Sequence, residues 1–170
     1  MNSDHVILVD MNDKALGSQE KLQAHKQGNL HRAFSILVFN SKNELLIHQR
    51  EKSKYHCGGL WTNTCCSHPQ PGEDTETAAH RRLQEEMGFT CKLEKQFTFI
   101  YKELFGNGLT EHELDHVFFG QFDGIAETNI QPDPKEVMDY KWISMDKLRK
   151  DMQAHPEKYT TWFKEIVKRM

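Results

Sequence analysis

The sequence predicts an α+β (mixed α/β) fold, and three observations predict it. Short β-branched and apolar runs recur along the chain, helical periodicity is confined to a few segments, and clusters of glycine, proline and asparagine separate the two kinds. No repeat, low-complexity tract or linker interrupts residues 1–170, a length that suits one domain with its own core.

The elements follow in order. His5–Asp10 (HVILVD) reads as a first strand. Ala33–Asn40 and Glu44–Arg50 flank Ser41-Lys42-Asn43 and read as a hairpin. A loop with Gly58, Gly59, Pro69, Pro71 and Gly72 follows. Asp74 to Met87 is a helix: Asp74 suits the N-cap, Ala79, Leu83 and Met87 recur every four residues, and Gly88 stands at the C′ position. Phe97–Leu104 and Glu111–Phe122 read as strands around a Gly106-Asn107-Gly108 turn. Pro132 and Pro134 mark a loop, and Val137–Ile143 a strand. Ser144 caps a short helix through Met152, and a last helix runs from Pro156 with Trp162, Phe163, Ile166 and Val167 on its apolar side.

Composition excludes several functions. No apolar run approaches the ~20 residues of a membrane helix, and the first thirty residues lack the apolar stretch of a secretory signal. Net charge −3 argues against a nucleic-acid partner, which needs a basic surface, but leaves room for a small anion in a local basic pocket. Cys65 and Cys66 are adjacent and cannot readily bridge each other, so Cys57, Cys65, Cys66 and Cys91 are expected as free thiols in the cytoplasm. Ten histidines offer metal ligands.

Four constellations carry chemistry. Arg81-Arg82-Leu83-Gln84-Glu85-Glu86 sets Arg82 over Glu86 and Arg81 over Glu85, either as a solvated ion-paired face or as a carboxylate holding a cation beside phosphates. In Cys65-Cys66-Ser67-His68, Cys66 and His68 point to the same side of an extended segment; the thiol is a small buried hydrophobe, or an acid–base or nucleophilic group with His68 on a nearby metal. Along a strand Glu111, Glu113 and Asp115 share one face, a costly arrangement unless solvated or neutralised by a cation. His25 and His31 lie in a polar segment, as surface histidines or ligands.

The stretch ending at Gly88-Phe89 resembles the Nudix box, G-x5-E-x7-R-E-U-x-E-E-x-G-U with U apolar. Glu73, Arg81, Glu85, Glu86, Gly88 and Phe89 match it; Ser67 replaces the first glycine and Arg82 the glutamate after arginine. A guanidinium in place of a carboxylate disfavours multi-metal hydrolysis and favours diphosphate binding. With Leu30-His31-Arg32-Ala33-Phe34-Ser35, Thr62-Asn63-Thr64-Cys65-Cys66-Ser67-His68-Pro69, Gly108-Leu109-Thr110-Glu111-His112-Glu113, the segment Asn129 to Val137 and Thr161-Trp162-Phe163, the chain resembles the type I isopentenyl-diphosphate isomerases over residues 5 to 165.

That resemblance implies a Nudix-like mixed sheet flanked by helices, and interconversion of isopentenyl and dimethylallyl diphosphate by protonation and deprotonation. It implies Cys66 and Glu113 as acid–base groups, with Tyr101 beside Glu113. His25, His31, His68, Glu111 and Glu113 would ligate one divalent metal (Mn²⁺, Zn²⁺ or Mg²⁺). Glu86 would hold Mg²⁺ with the diphosphate. Lys21, Arg50, Lys54 and Arg82 would bind the diphosphate, and Trp162 would face the hydrocarbon. The implied partner is the small-molecule substrate, with the chain monomeric or homodimeric. His56, His80, His112, His116, His155, Cys57 and Cys65 receive no role. A Nudix hydrolase, which would release phosphate and ignore loss of Cys66, and a non-enzymatic binding module are the alternatives.

Overall fold

The computed structural model describes residues 4–122 and 130–170; Asn129, the first residue of one matched segment, lies outside them. The described elements are β1 (His5–Val9), β2 (Ala15–Glu20), α1 (Lys21–Gln27), β3 (His31–Phe39), β4 (Glu44–Arg50), β5 (Trp61–Thr62), β6 (Cys65–Ser67), α2 (Thr75–Met87), β7 (Leu93–Leu104), β8 (Thr110–Gln121), β9 (Val137–Ser144), α3 (Met145–Ala154), a 3-10 turn (Pro156–Lys158) and α4 (Thr161–Arg169). The strands form one mixed sheet.

The centre of the sheet is the parallel pair β3–β8, in register from His31↔Glu113 to Phe39↔Gln121. A strand covered on both faces needs apolar side chains in both directions, which explains the unbroken run Ile36-Leu37-Val38. Phe34, Ile36 and Val38 pack with Ala79, Leu83 and Met87 of α2. On the opposite face Leu37, Leu45 and Ile47 pack with Leu148 of α3 and Phe163 and Ile166 of α4. The expected mixed sheet flanked by helices is thereby present.

α2 forms where its caps place it. The Asp74 carboxylate accepts from Thr77 N–H, and Gly88 ends the helix with φ +78°. A Cβ at Gly88 would also lie 2.6 Å from the Gln131 carbonyl, so glycine is required twice over.

β3 and β4 do not make the expected hairpin ladder. They share one rung, Phe39↔Leu45, after which β4 pairs with β9 and β3 with β8. The segment from Trp61 to Ser67 fills the gap, with β6 on β3 and β5 on β4. Side chains replace the missing ladder bonds. Thr64 Oγ1 accepts from Val38 N–H and donates to the Leu46 carbonyl, at 2.9 and 2.6 Å. Asn63 Nδ2 donates to the carbonyls of Ile36 and Cys65, and His48 Nδ1 to that of Thr64. Buried backbone groups need partners, so the Thr62-Asn63-Thr64 motif serves architecture before chemistry.

Two further expectations are corrected, and two elements lie where none was expected. β2 and α1 occupy a segment with no periodic signal; β2 is mostly exposed, and α1 buries only Ala24 and His25. β7 starts at Leu93, four residues before the expected strand. Pro156 opens a 3-10 turn, and the last α-helix begins at Thr161.

Candidate active site

The implied metal ligands converge although they come from four places in the chain. α1 presents Lys21 and, one turn on, His25 along one face. β3 begins with His31, the loop after β6 carries His68, and β8 carries Glu111 and Glu113. Register places Glu113 between Tyr101 on β7 and His31 on β3. Glu113 Oε1 lies 2.8 Å from His68 Nε2 and 3.4 Å from His31 Nε2, and Tyr101 donates to its Oε2 at 2.7 Å. Glu111 Oε1 lies 3.6 Å from His25 Nε2. His25 is completely buried and aimed inward, so the structure brings it into the cluster with the others.

The histidine tautomers are fixed by carbonyls, which can only accept. His25 Nδ1 donates to the Lys21 carbonyl at 2.7 Å and His31 Nδ1 to that of Asn29 at 2.9 Å. Each leaves Nε2 with its lone pair toward the carboxylates. His25 Nε2, His31 Nε2 and Glu111 Oε2 are buried and have no hydrogen-bond partner. Such orphaned atoms are costly without a ligand, and neutral imidazoles with carboxylates are a donor set that divalent ions accept. Donors about 2.1 Å from one ion lie roughly 3.0–3.4 Å apart at right or tetrahedral angles, close to the spacings here. The residues therefore fit a metal ion.

Titration in the cluster follows from burial. It lowers His25 and holds His68 near 4, so both stay neutral. Burial and the adjacent Glu113 push Glu111 well above the carboxylate range. Burial also raises Glu113, but the His68 hydrogen bond and the neighbouring His31 ring outweigh it and hold this carboxyl well below. Two carboxylates this close share a proton unless a cation replaces it.

Beside this cluster is a cavity of about 100 Å³ lined by Cys66, Glu113, Tyr101, Trp162, Lys21, Arg50, Lys54, Arg82 and Glu86. Every residue that the resemblance assigned to the site lines it except His25 and His31, which sit in the adjoining cluster. The Cys66 thiol is pushed up to about 12 by burial, against the pull of Arg50, so it carries its proton at neutral pH. Arg50 reaches both sides of the cavity, with Nη1 4.0 Å from Cys66 Sγ and its guanidinium 5.3 Å from the Trp162 ring centre. Trp162 is anchored by its indole N–H, which donates to Asn63 Oδ1 at 3.2 Å.

α2 shows what became of the Nudix box. Arg81 holds Glu73 through two hydrogen bonds of 2.7 and 2.9 Å, which removes that carboxylate from metal chemistry. Arg82 bonds Glu85 and Glu86 and approaches Glu136 at 3.6 Å. Glu86 is buried, which raises its carboxyl, and its Oε2 accepts from the Cys65 thiol at 3.3 Å. Cys65 thus points opposite to Cys66, into the core beside α2, as alternation along a strand dictates.

The sequence reasoning missed several residues around the site. His56 lies 3.7 Å from Glu111 Oε1. Lys54 is paired with Glu136, Lys21 stands 5.4 Å from the Tyr55 ring centre, and Ser35 and His48 also line the cavity. Tyr55 and His56 occupy an irregular loop with no period to assign a facing direction. Glu136 was visible only inside the Asn129–Val137 match.

A model of the NUDIX domain matches residues 29–163. The Isopentenyl-diphosphate Delta-isomerase 2 of Aromatoleum aromaticum is 49% identical over 98% of this chain and 86% of its own length. The Isopentenyl-diphosphate Delta-isomerase of Pectobacterium atrosepticum is 52% identical over 93% of this chain and 86% of its own. A protein of Deinococcus radiodurans with a known crystal structure superposes with a TM-score of 0.79 at 20% identity, over 97% of this chain and 98% of that one, a likeness of fold. The chain belongs to the Nudix family and, within it, to the isopentenyl-diphosphate Delta-isomerases.

Proposed function

We propose that this chain, acting as one domain in the cytoplasm, interconverts isopentenyl diphosphate and dimethylallyl diphosphate. The observation that carries the reading is the pairing, in one cavity, of a protonated Cys66 thiol with the Glu113 carboxyl, with Lys21, Arg50, Lys54 and Arg82 lining the same cavity. The size fits: an enclosed cavity of about 150 Å³ holds one benzene ring, so 100 Å³ suits a five-carbon chain.

Lys21, Arg50, Lys54 and Arg82 hold the diphosphate at the cavity mouth. The alkene then lies between Cys66 and Glu113. One of the two gives a proton to the terminal carbon, whose π electrons form the new C–H bond and leave a tertiary cation. The other takes a proton from the allylic carbon, and that C–H pair becomes the shifted double bond. Trp162 presents a π face worth roughly 2 kcal/mol to a desolvated cation. Tyr101 keeps Glu113 Oε2 oriented. His25, His31, His68, Glu111 and Glu113 would hold a divalent ion, which would supply fixed positive charge beside the acid–base carboxyl. Glu86 would hold Mg²⁺ with the substrate's phosphates, since Mg²⁺ commonly takes one or two protein carboxylates with phosphate oxygens. The walls keep water from the cation.

The test is to incubate isopentenyl diphosphate with protein and Mg²⁺ in D₂O and follow the allylic product by NMR. Turnover with deuterium incorporation is expected for the wild type and is lost in Cys66→Ala. Phosphate release without allylic product would replace this reading with hydrolysis.

A further inference from the structure

Three groups of donors in the cluster have all their ligand atoms within 4.8 Å of one another: His25, His31 and Glu113; His68, Glu111 and Glu113; and His25, His56 and Glu111. The first two are made from the five implied ligands. The third brings in a residue that neither composition nor resemblance assigned.

We propose that His56 is a sixth protein ligand of the same metal centre, giving four imidazoles and two carboxylates. The inference rests on the metal site of the proposed function. Its geometry stands apart from that reading. His56 Nε2 and His25 Nε2 approach one oxygen, Glu111 Oε1, at 3.7 and 3.6 Å, distances too long for hydrogen bonds and suited to donors around a shared ion. The His56 side chain is 7% exposed, and its Nδ1 is buried with no hydrogen-bond partner, so ordinary polar bonding does not account for a histidine here. The ring is fixed by stacking instead. Phe105 lies parallel to it at 5.2 Å and 6°, and His25 stacks on it at 5.7 Å and 29°. Two rings therefore hold the imidazole with its edge toward Glu111.

The ligand has a consequence for substrate binding. His56 lies two residues beyond Lys54 on the stretch that leaves β4 at Arg50, and both cations line the cavity. A metal bond to His56 ties that stretch to the metal cluster, so metal occupancy and the placing of the diphosphate cations are coupled. A set richer in imidazole also shifts preference from Mg²⁺ toward Zn²⁺, Co²⁺ or Mn²⁺.

The experiment uses the full chain stripped with a chelator. Zn²⁺ affinity is read by competition with a chromophoric chelator, and Co²⁺ binding by its visible absorption. His56→Phe keeps an aromatic ring against Phe105 and removes the donor. His56→Gln retains a weak neutral donor. His112→Gln is the control, because His112 Nδ1 donates to the Gly28 carbonyl and belongs to none of the donor groups. Loss of supporting partners alone commonly costs 10–100-fold in metal affinity, so His56→Phe is expected to weaken Zn²⁺ by about 100-fold and alter the Co²⁺ spectrum. If His56→Phe does not fold, His56→Gln carries the test with the same expected direction. Wild-type affinity and an unchanged Co²⁺ spectrum in the folded variant would overturn the assignment while leaving the five-ligand site standing. A wild type that binds neither ion would overturn both.

Discussion

Arg82→Met removes the guanidinium that stands where the Nudix box has a carboxylate, and its cost can be worked from the contacts. Arg82 bonds Glu85 and Glu86 and approaches Glu136; its side chain is 22% exposed and that of Glu86 5%. Removing one partner of a buried ion pair costs about 3–5 kcal/mol because the remaining charge stays unpaired. Partial exposure of Arg82 lets water screen the pair, so the low end applies, about 3 kcal/mol at pH 8. For a chain of this length about 3 kcal/mol lowers Tm by roughly 6–12 °C. Glu86 already titrates above its ordinary range through burial, even with Arg82 beside it, and losing Arg82 raises it further. A carboxyl whose folded pKa exceeds its unfolded value favours folding when protonated, and loses that advantage as pH rises through the folded pKa. The deficit of Arg82→Met relative to wild type must therefore shrink between pH 8 and pH 5. Thermal unfolding by circular dichroism, with EDTA present at both pH values, measures it. The double variant Arg82→Met/Glu86→Gln removes both charges and should recover at least half the loss. A Tm within about 2 °C of wild type at pH 8, or a deficit that grows on acidification, would refute the claim that Arg82 compensates a buried carboxylate.

Asn63→Ala leaves the Ile36 and Cys65 carbonyls and the Trp162 N–H short of a partner, and should cost about 3 kcal/mol or more, read as a lower urea midpoint. A change under 1 kcal/mol would contradict the bridging role given to the motif. Tyr101→Phe deletes the 2.7 Å bond to Glu113 and should lower kcat about 10–100-fold with KM held, since no diphosphate cation is touched; steady-state kinetics decide it. Cys66, pushed up to about 12, should alkylate slowly at pH 8 with no inflection below pH 10 in metal-free protein. A rate inflection near pH 7 would show a thiolate where the structure has a thiol.

Some of this was legible in the sequence because the signals were local. α2 combines a capping aspartate, a four-residue apolar stripe and a terminal glycine, three signs that each need only neighbours along the chain. β3 declared itself through an apolar run, since a strand buried on both faces favours such residues in both directions. β2 and α1 were hidden: β2 is exposed and shows no alternation, and α1 has seven residues, too few to display a helical period. α1 is held by its cap, where the Glu20 carboxylate accepts from Leu22 and Gln23 N–H, and by the burial of His25.

For the site, the sequence by itself determined which chemical groups are present. It placed Glu111 and Glu113 on one strand face and Cys66 with His68 on one side, because alternation along a strand is a property of the backbone. Only the tertiary structure decided which groups meet. The β3–β8 register sets His31 against Glu113, the splaying of β3 from β4 admits Cys66 and His68, and an irregular loop brings His56 to Glu111. The physical reason is range: caps and periodicity act within a turn or two of chain. A ligand set drawn from residues 25 to 113 exists only once distant strands have paired.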